Sequence, residues 1–161
     1  MNIRRARMRD VDALMELEAA SFTTREMTNR DTLLFRIRNY DQWFFVAEER
    51  DKILAYISCR PVQGRTMRDS FYTKQKVREE TSLAILSMGD QSEEGRALYP
   101  RLLRHIMDLA KIRGIKTLLV ACKEPMRPFF TDVGFTAENK SAISFSPGFE
   151  TTFVYDLTST P

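Results

Sequence analysis

Histidine is almost missing from this sequence: His105 is the only one in 161 residues. A metal site built on several histidines is therefore impossible. A Ser-His-Asp or Cys-His centre does not fit His105 either, because it falls in mid-helix beside an apolar stripe and reads as a structural or surface residue. Cysteine is scarce too. Cys59 and Cys122 are the only two, both inside apolar stretches with no CxxC spacing, so they read as buried, reduced thiols of a cytoplasmic protein. No apolar run approaches the roughly 20 residues a membrane helix needs, and the Met1–Arg5 start lacks the apolar core of a signal peptide. Neither a GxxxxGK(S/T) phosphate loop nor a GxGxxG fingerprint is present. No tight carboxylate cluster suggests a metal, so no metal is expected.

What remains is an ordinary globular mixture, 43% apolar and 29% charged, of a length suited to one domain over residues 1–161 with a real hydrophobic core. The formal net charge of +3 is spread through the chain. Such a mild excess suits an anionic ligand such as a nucleotide cofactor and gives no argument for nucleic acid or a membrane as partner.

Periodicity gives the element order. Asn2 to Ala6 reads as a short strand. Asp10 reads as the N-cap of a helix to about Ser21, in which Val11, Leu14, Leu17, Glu18, Ser21 and Phe22 lean to one side. Glu18 is the odd member of that apolar side. A second helix is expected from about Asn29 to Asn39. Strands follow at Trp43–Ala47 and Ile53–Val62, joined by a turn at Arg50-Asp51-Lys52. Arg65 to Arg78 reads as a loop with one short helix, and Thr81–Met88 as a strand. A long helix is expected from Gly95 to Arg113, with Leu98, Leu102, Ile106 and Leu109 as its buried stripe and Gly114 as its stop. Lys116–Cys122 reads as a buried strand, Pro125–Val133 as a short helix ended by Gly134, and Ala142–Phe145 and Thr151–Leu157 as the last strands. The strand–helix–strand unit of the second half predicts a parallel pair; the early hairpin makes the sheet mixed.

Two segments carry a resemblance. Between the strand at Leu83 and the long helix lies Ser92-Glu93-Glu94-Gly95-Arg96-Ala97, which resembles the acetyl-CoA motif Gln/Arg-x-x-Gly-x-Gly/Ala of the GNAT N-acetyltransferase superfamily. The late segment from Cys122-Lys123-Glu124-Pro125 through Phe129-Phe130 to Gly134-Phe135 resembles that superfamily's strand end, short helix with an aromatic pair, and Gly-Phe strand start. The opening Glu18 to Phe22 and the hairpin strands match as well, so the likeness covers nearly the whole chain. Within the superfamily it is most similar to the serotonin (arylalkylamine) N-acetyltransferase branch and its bacterial relatives.

The resemblance implies an α/β single-domain GNAT fold, with a mixed, mostly antiparallel sheet, a splayed central parallel pair and flanking helices. It implies acetyl transfer from acetyl-CoA, as cosubstrate, to a primary amine, with a small-molecule amine as partner and a monomer or homodimer as the assembly. The alternative is a degenerate domain that binds coenzyme A or a regulatory ligand without turnover. Backbone groups of Ile85, Leu86 and Ser87 would hold the pantetheine arm and polarise the thioester carbonyl. The pyrophosphate would rest on the turn of Ser92, Glu93, Glu94, Gly95, Arg96 and Ala97, with Gly95 and Ala97 kept small so that it can reach the backbone. Phe129 and Phe130 complete the expected cofactor site.

Three departures from the family pattern matter. Ser92 stands where Gln or Arg is usual. Thr81 and Leu83 stand where the serotonin branch has histidines. Phe130 stands at the usual tyrosine acid, which removes a proton donor for the leaving thiolate. Two carboxylates are left as candidate bases: Glu79, on the face of Thr81 by strand alternation, and Glu18.

Overall fold

The computed structural model describes residues 1–74 and 81–157. In chain order the elements are β1 (Asn2–Arg5), α1 (Val11–Ser21), α2 (Arg30–Asn39), β2 (Phe44–Glu49), β3 (Lys52–Val62), β4 (Ser82–Asp90), α3 (Glu93–Arg96), α4 (Tyr99–Ile112), β5 (Thr117–Ala121), α5 (Arg127–Val133), β6 (Thr136–Lys140) and β7 (Thr151–Asp156). The strands order as β1-β2-β3-β4-β5-β7-β6 in one seven-stranded sheet. β4 and β5 are parallel, with rungs from Ser82–Thr117 to Ile85–Val120, and β4 runs on past the last of these to Asp90. The pairs β1–β2, β2–β3, β5–β7 and β6–β7 are antiparallel. The sheet is therefore mixed and mostly antiparallel, as the sequence predicts.

The chain forms two compact units, one of Met1–Arg60 with Leu86–Ile106, the other of Pro61–Ile85 with Met107–Pro161. In the first unit, Leu14 and Leu17 of α1 and Leu33 and Ile37 of α2 bury against Phe44 and Val46 of β2 and Tyr56 of β3. Each such side chain contributes about 1.5–3 kcal/mol by leaving water. Asn29 caps α2, its side chain accepting the Thr32 N–H at 2.8 Å. The turn between β2 and β3 places Arg50 and Asp51 at φ 52° and 63°, the paired left-handed geometry of a two-residue hairpin.

Asp10 stands at the N-cap of α1 as expected, but its side chain makes no capping bond to that helix. Its carboxylate accepts the Arg7 N–H at 2.7 Å and both terminal nitrogens of Arg4 at 2.8 and 3.0 Å, which closes the turn ahead of the helix. Glu48 joins from β2, 3.0 Å from Arg4. The expected long helix is also two helices. Pro100 has no N–H to continue the ladder, so the chain breaks at Ala97–Leu98 and restarts with Pro100 in the first turn of α4. The break rotates the buried stripe to Tyr99, Leu102, Leu103, Ile106 and Ala110.

In the second unit, the strand expected at Ala142–Phe145 is absent. Ala142 makes a single bridge to Arg68, and the partner of β7 is β6, whose Thr-Ala-Glu-Asn-Lys sequence is largely exposed. Such an edge strand needs no apolar alternation, because its order comes from β7. Arg65 clamps the same edge: its guanidinium meets Glu138 of β6 at 2.6 Å and Asp156 of β7 at 2.8 Å. The arginine holds both carboxyls below their usual range through its hydrogen bonds.

This clamp generates a prediction. A carboxyl depressed in the fold stabilises it above the unfolded pKa, about 4, and the contribution is lost as pH falls through the folded value. Arg65→Ala should cost about 1 kcal/mol or less at pH 7, since the pairs are half-exposed. Urea midpoints of wild type and variant should converge as the pH drops below 4; a gap that persists there assigns the loss to packing of the arginine stem.

Candidate active site

The end of β4 organises the phosphate-side turn. The Asp90 carboxylate accepts the Ser92 N–H at 3.2 Å, the Arg96 Nε at 2.8 Å and the Tyr99 hydroxyl at 2.6 Å. Its backbone is tied to α1, since Ser21 Oγ donates to the Asp90 carbonyl at 2.7 Å and accepts the Asp90 N–H at 2.9 Å. Ser92 caps α3 by accepting the Gly95 N–H at 3.0 Å. Burial of the Tyr99 hydroxyl, together with its bond to Asp90, raises its pKa.

Two contacts of the turn were not visible in the sequence. Arg96 is paired with Asp90. Gly95 also has a packing reason to be small: a Cβ there would run into the Leu54 carbonyl oxygen and close on Asp90 Cβ at 3.1 Å. The glycine lets α3 lie directly on the β3 backbone. Glu93 and Glu94 are exposed, so two solvated carboxylates flank the turn.

A second cluster lies on the face of the sheet covered by α1 and α2. Glu18 and Tyr56 are both 0% exposed. Neither oxygen of the Glu18 carboxylate, nor the Tyr56 hydroxyl, nor the Ser87 hydroxyl has a hydrogen-bonded partner, although all are buried. The Tyr56 hydroxyl nevertheless sits beside both Glu18 and Ser87, and Thr28 also approaches Glu18. An ideal Cβ at Gly89 would stand 3.0 Å from the Tyr56 oxygen. That places the phenol on the backbone of β4 beyond its last rung with β5. Arg36 of α2, also buried, donates to Thr28 Oγ1 at 3.2 Å.

Electrostatics follows from this burial. Desolvation raises the Glu18 pKa, offset in part by Tyr56, Thr28 and the Arg36 charge. Desolvation and the neighbouring Glu18 charge hold the Tyr56 phenol well above its ordinary pKa. A carboxyl with a raised pKa, beside a phenol that keeps its proton, holds its own proton to higher pH than an exposed glutamate does.

Of the site residues expected from sequence, Glu18, Ser87, Ser92, Gly95 and Arg96 fall in one unit with Asp90 and Tyr56. Ile85 is buried at the last β4–β5 rung and Leu86 is buried one residue on. Ala97 is the exposed C-cap of α3. Phe129 and Phe130 pack edge to face at 5.0 Å, and Phe130 packs in turn on Phe135 at 5.3 Å. Phe130 is thus a buried member of an aromatic row in the other unit. Glu79 and the flanking Glu80 lie outside the described residues. Tyr56 and Asp90 were missed. The signal for Tyr56 was a phenol inside the apolar run Ile53–Ile57; for Asp90 it was an acid at the end of a strand.

Both cysteines are free and buried; burial pushes the Cys122 thiol up to about 11. His105 packs its ring 4.4 Å from Phe45. Among the described residues no group of His, Cys, Asp and Glu could hold a metal ion, and no helix is long and apolar enough to cross a membrane.

Glu18 should be a stability liability. Its folded pKa lies above the unfolded one, so the folded chain binds more protons between the two values and stability falls as pH rises through that window. Glu18→Gln should therefore gain in melting temperature relative to wild type between pH 5 and pH 8. A difference that does not change with pH means that Glu18 is not carrying the charge cost.

Among solved structures, the fold matches the GphF GNAT-like decarboxylase in complex with isobutyryl-CoA, at TM-score 0.84 and 18% identity, covering 98% of this chain and 100% of that one. The loading GNATL domain of CurA from Lyngbya majuscula matches at TM-score 0.83 and 15% identity, covering 99% and 98%. The ribosomal-protein-S18-alanine N-acetyltransferase of Escherichia coli matches at TM-score 0.69 and 14% identity, covering 99% and 96%. No curated protein matches the sequence significantly. At these identities the structural matches speak to fold alone, and the finer likeness to the serotonin branch finds no support among them. The family model for the acetyltransferase (GNAT) family matches residues 11–135, and the chain belongs to that family.

Proposed function

We propose that this protein transfers an acetyl group from acetyl-CoA to the primary amine of a small molecule. The observation that carries the reading is the Glu18 carboxylate: fully buried, without a well-formed hydrogen bond to either oxygen, and beside the Tyr56 hydroxyl, which in turn neighbours Ser87 of β4. A buried unpaired carboxylate is costly to maintain. An ammonium is the partner that would offset that cost, and removing its proton is the step amine acylation requires, since a primary alkylamine is almost fully protonated at pH 7.

The donor side rests on the family and on β4. β4 continues to Asp90 after its last rung with β5, and its backbone from Leu86 onward is the stretch on which the pantetheine arm would lie. The GphF structure and that of the PaiA N-acetyltransferase from Thermoplasma acidophilum hold isobutyryl-CoA and coenzyme A respectively, which supports a coenzyme A thioester as the donor. The pyrophosphate would meet the Ser92–Ala97 turn, where it must compete with Asp90 for the Ser92 N–H and Arg96. Affinity for the nucleotide end should accordingly be modest. In this reading Glu18 accepts the ammonium proton. Glu79 stays the second candidate from the sequence.

A domain that binds the thioester without turnover is the second reading. It is favoured by the buried Phe130 in place of a tyrosine and by Asp90 filling the turn's donors.

Isothermal titration with acetyl-CoA, followed by a thiol-release assay across a panel of primary amines, separates the two. Heat of binding together with amine-dependent thiol release is the expected result; binding without release selects the second reading. With an active amine, Glu18→Gln should lower kcat/KM by roughly 10²-fold, the low end for loss of a general base. An unchanged rate in that variant with a fall in Glu79→Gln moves the role to Glu79.

A further inference from the structure

Acyl transfer to an amine moves protons at both ends: the ammonium must lose one, and the departing thiolate gains one. The position at which this family's pattern has a tyrosine acid holds Phe130, enclosed by Phe129 and Phe135. The structure nevertheless contains a phenol on β4, from another strand. We propose that the Tyr56 hydroxyl donates the proton to the leaving thiolate and is reprotonated by Glu18, so that the two residues form one proton relay; this rests on the transfer reading above.

Three observations carry it. The Tyr56 oxygen lies over the β4 backbone, 3.0 Å from where a Gly89 Cβ would stand, and Gly89 is small because any Cβ would collide with the ring. A glycine that makes room for a tyrosine fixes where the hydroxyl points. The hydroxyl is fully buried without a hydrogen-bonded partner, as are the two carboxylate oxygens of Glu18 and the Ser87 hydroxyl beside it. Three neighbouring polar side chains left unsatisfied in one unit are expensive unless something completes them. Finally, a phenol serving only as packing would be matched by phenylalanine, which the same face uses at Phe44, 5.8 Å from the Tyr56 ring. The charged and titratable groups facing the phenol are Glu18 of α1 and Arg36 of α2.

The steps balance. The ammonium gives one proton to the Glu18 carboxylate, and the neutral nitrogen bonds to the thioester carbonyl carbon. The nitrogen of the adduct loses its second proton to solvent. The carbon–sulfur bond breaks with its electron pair going to sulfur, and sulfur takes the Tyr56 proton. The tyrosinate recovers a proton from the Glu18 carboxyl. Both side chains return to their starting states, with one proton released per turnover. A phenol held above its ordinary pKa is protonated before each transfer; being a weaker acid than a thiol, it depends on reprotonation by the more acidic Glu18 carboxyl to carry the transfer forward.

The experiment varies the leaving group. Tyr56→Phe is assayed with acetyl-CoA and with an acetyl-CoA analogue whose thiol is acidified by two fluorines on the neighbouring carbon. If Tyr56 protonates the sulfur, the variant loses roughly 10²-fold in kcat with acetyl-CoA, keeps its acetyl-CoA affinity by titration, and regains most of the loss with the acidified donor. Equal losses with both donors overturn the proposal and leave the transfer reading intact. A wild type that binds acetyl-CoA but releases no thiol with any amine overturns both, and the wild-type arm shows this before any variant is made. Should Tyr56→Phe fail to fold, 3,5-difluorotyrosine in place of Tyr56 keeps the shape. It should move the alkaline falling limb of kcat to lower pH, and an unmoved limb is equally fatal to the proposal.

Discussion

Asp90 is the contact on which the arrangement of this site depends. One carboxylate at the end of β4 collects a backbone N–H from the turn, a guanidinium from α3 and a phenol from α4, while its own backbone is held by Ser21 of α1. Four elements are thereby referenced to one strand end. Charge-assisted bonds to a buried acid are among the stronger hydrogen bonds available to a protein, roughly twice neutral ones. With Gly95 laid on the Leu54 carbonyl, β3, β4 and the turn cannot slide relative to one another without breaking several of these contacts together. That rigidity places Ser87 and Gly89 beneath the Tyr56 ring.

The same anchoring has a chemical consequence. An acid of the chain's own holds donors that a bound diphosphate would use, so the turn is electrostatically satisfied before any cofactor arrives. On the proposed function, loading a thioester would exchange one anion for another at Ser92 and Arg96. The helix-side face shows the opposite state. There Glu18, Tyr56 and Ser87 are buried and unsatisfied, and the cost is borne by the apolar packing of Leu14, Leu17, Leu33 and Ile37 around them. One end of the site is closed on itself and the other lacks partners, as expected if specificity for the acceptor is built into the fold and the donor is held mainly through its arm. On the proposed function, retaining a destabilising carboxylate at the centre of a well-packed unit is the usual trade of stability for activity.

The architecture was legible from local pattern wherever pattern and packing agree. Turn residues, alternation and the Gly95 turn placed β2, β3, β4 and β5 closely, and the oddness of Glu18 on an apolar helix face was visible as a mismatch of type and position. Legibility failed where an element takes its order from a neighbour. β6 has a polar, exposed sequence and exists through its pairing with β7 and the Arg65 clamp. The helix after Gly95 reads as continuous by hydrophobic period, yet Pro100 breaks it, because a missing N–H acts on geometry and leaves the apolar count untouched.

The sequence by itself determined the family, most of the element order, the missing histidines and tyrosine acid, and the presence of an acid at position 18, since each follows from residue type and spacing along the chain. Only the tertiary structure decided that Glu18 is buried without a well-formed hydrogen bond, that Tyr56 stands beside it over Gly89, and that Asp90 holds Arg96. Those facts depend on distances between residues more than thirty positions apart for Glu18 and Tyr56, and on which polar atoms are left dry when the core closes. Spacing along a chain reports which face a side chain takes; it does not report what stands opposite that face.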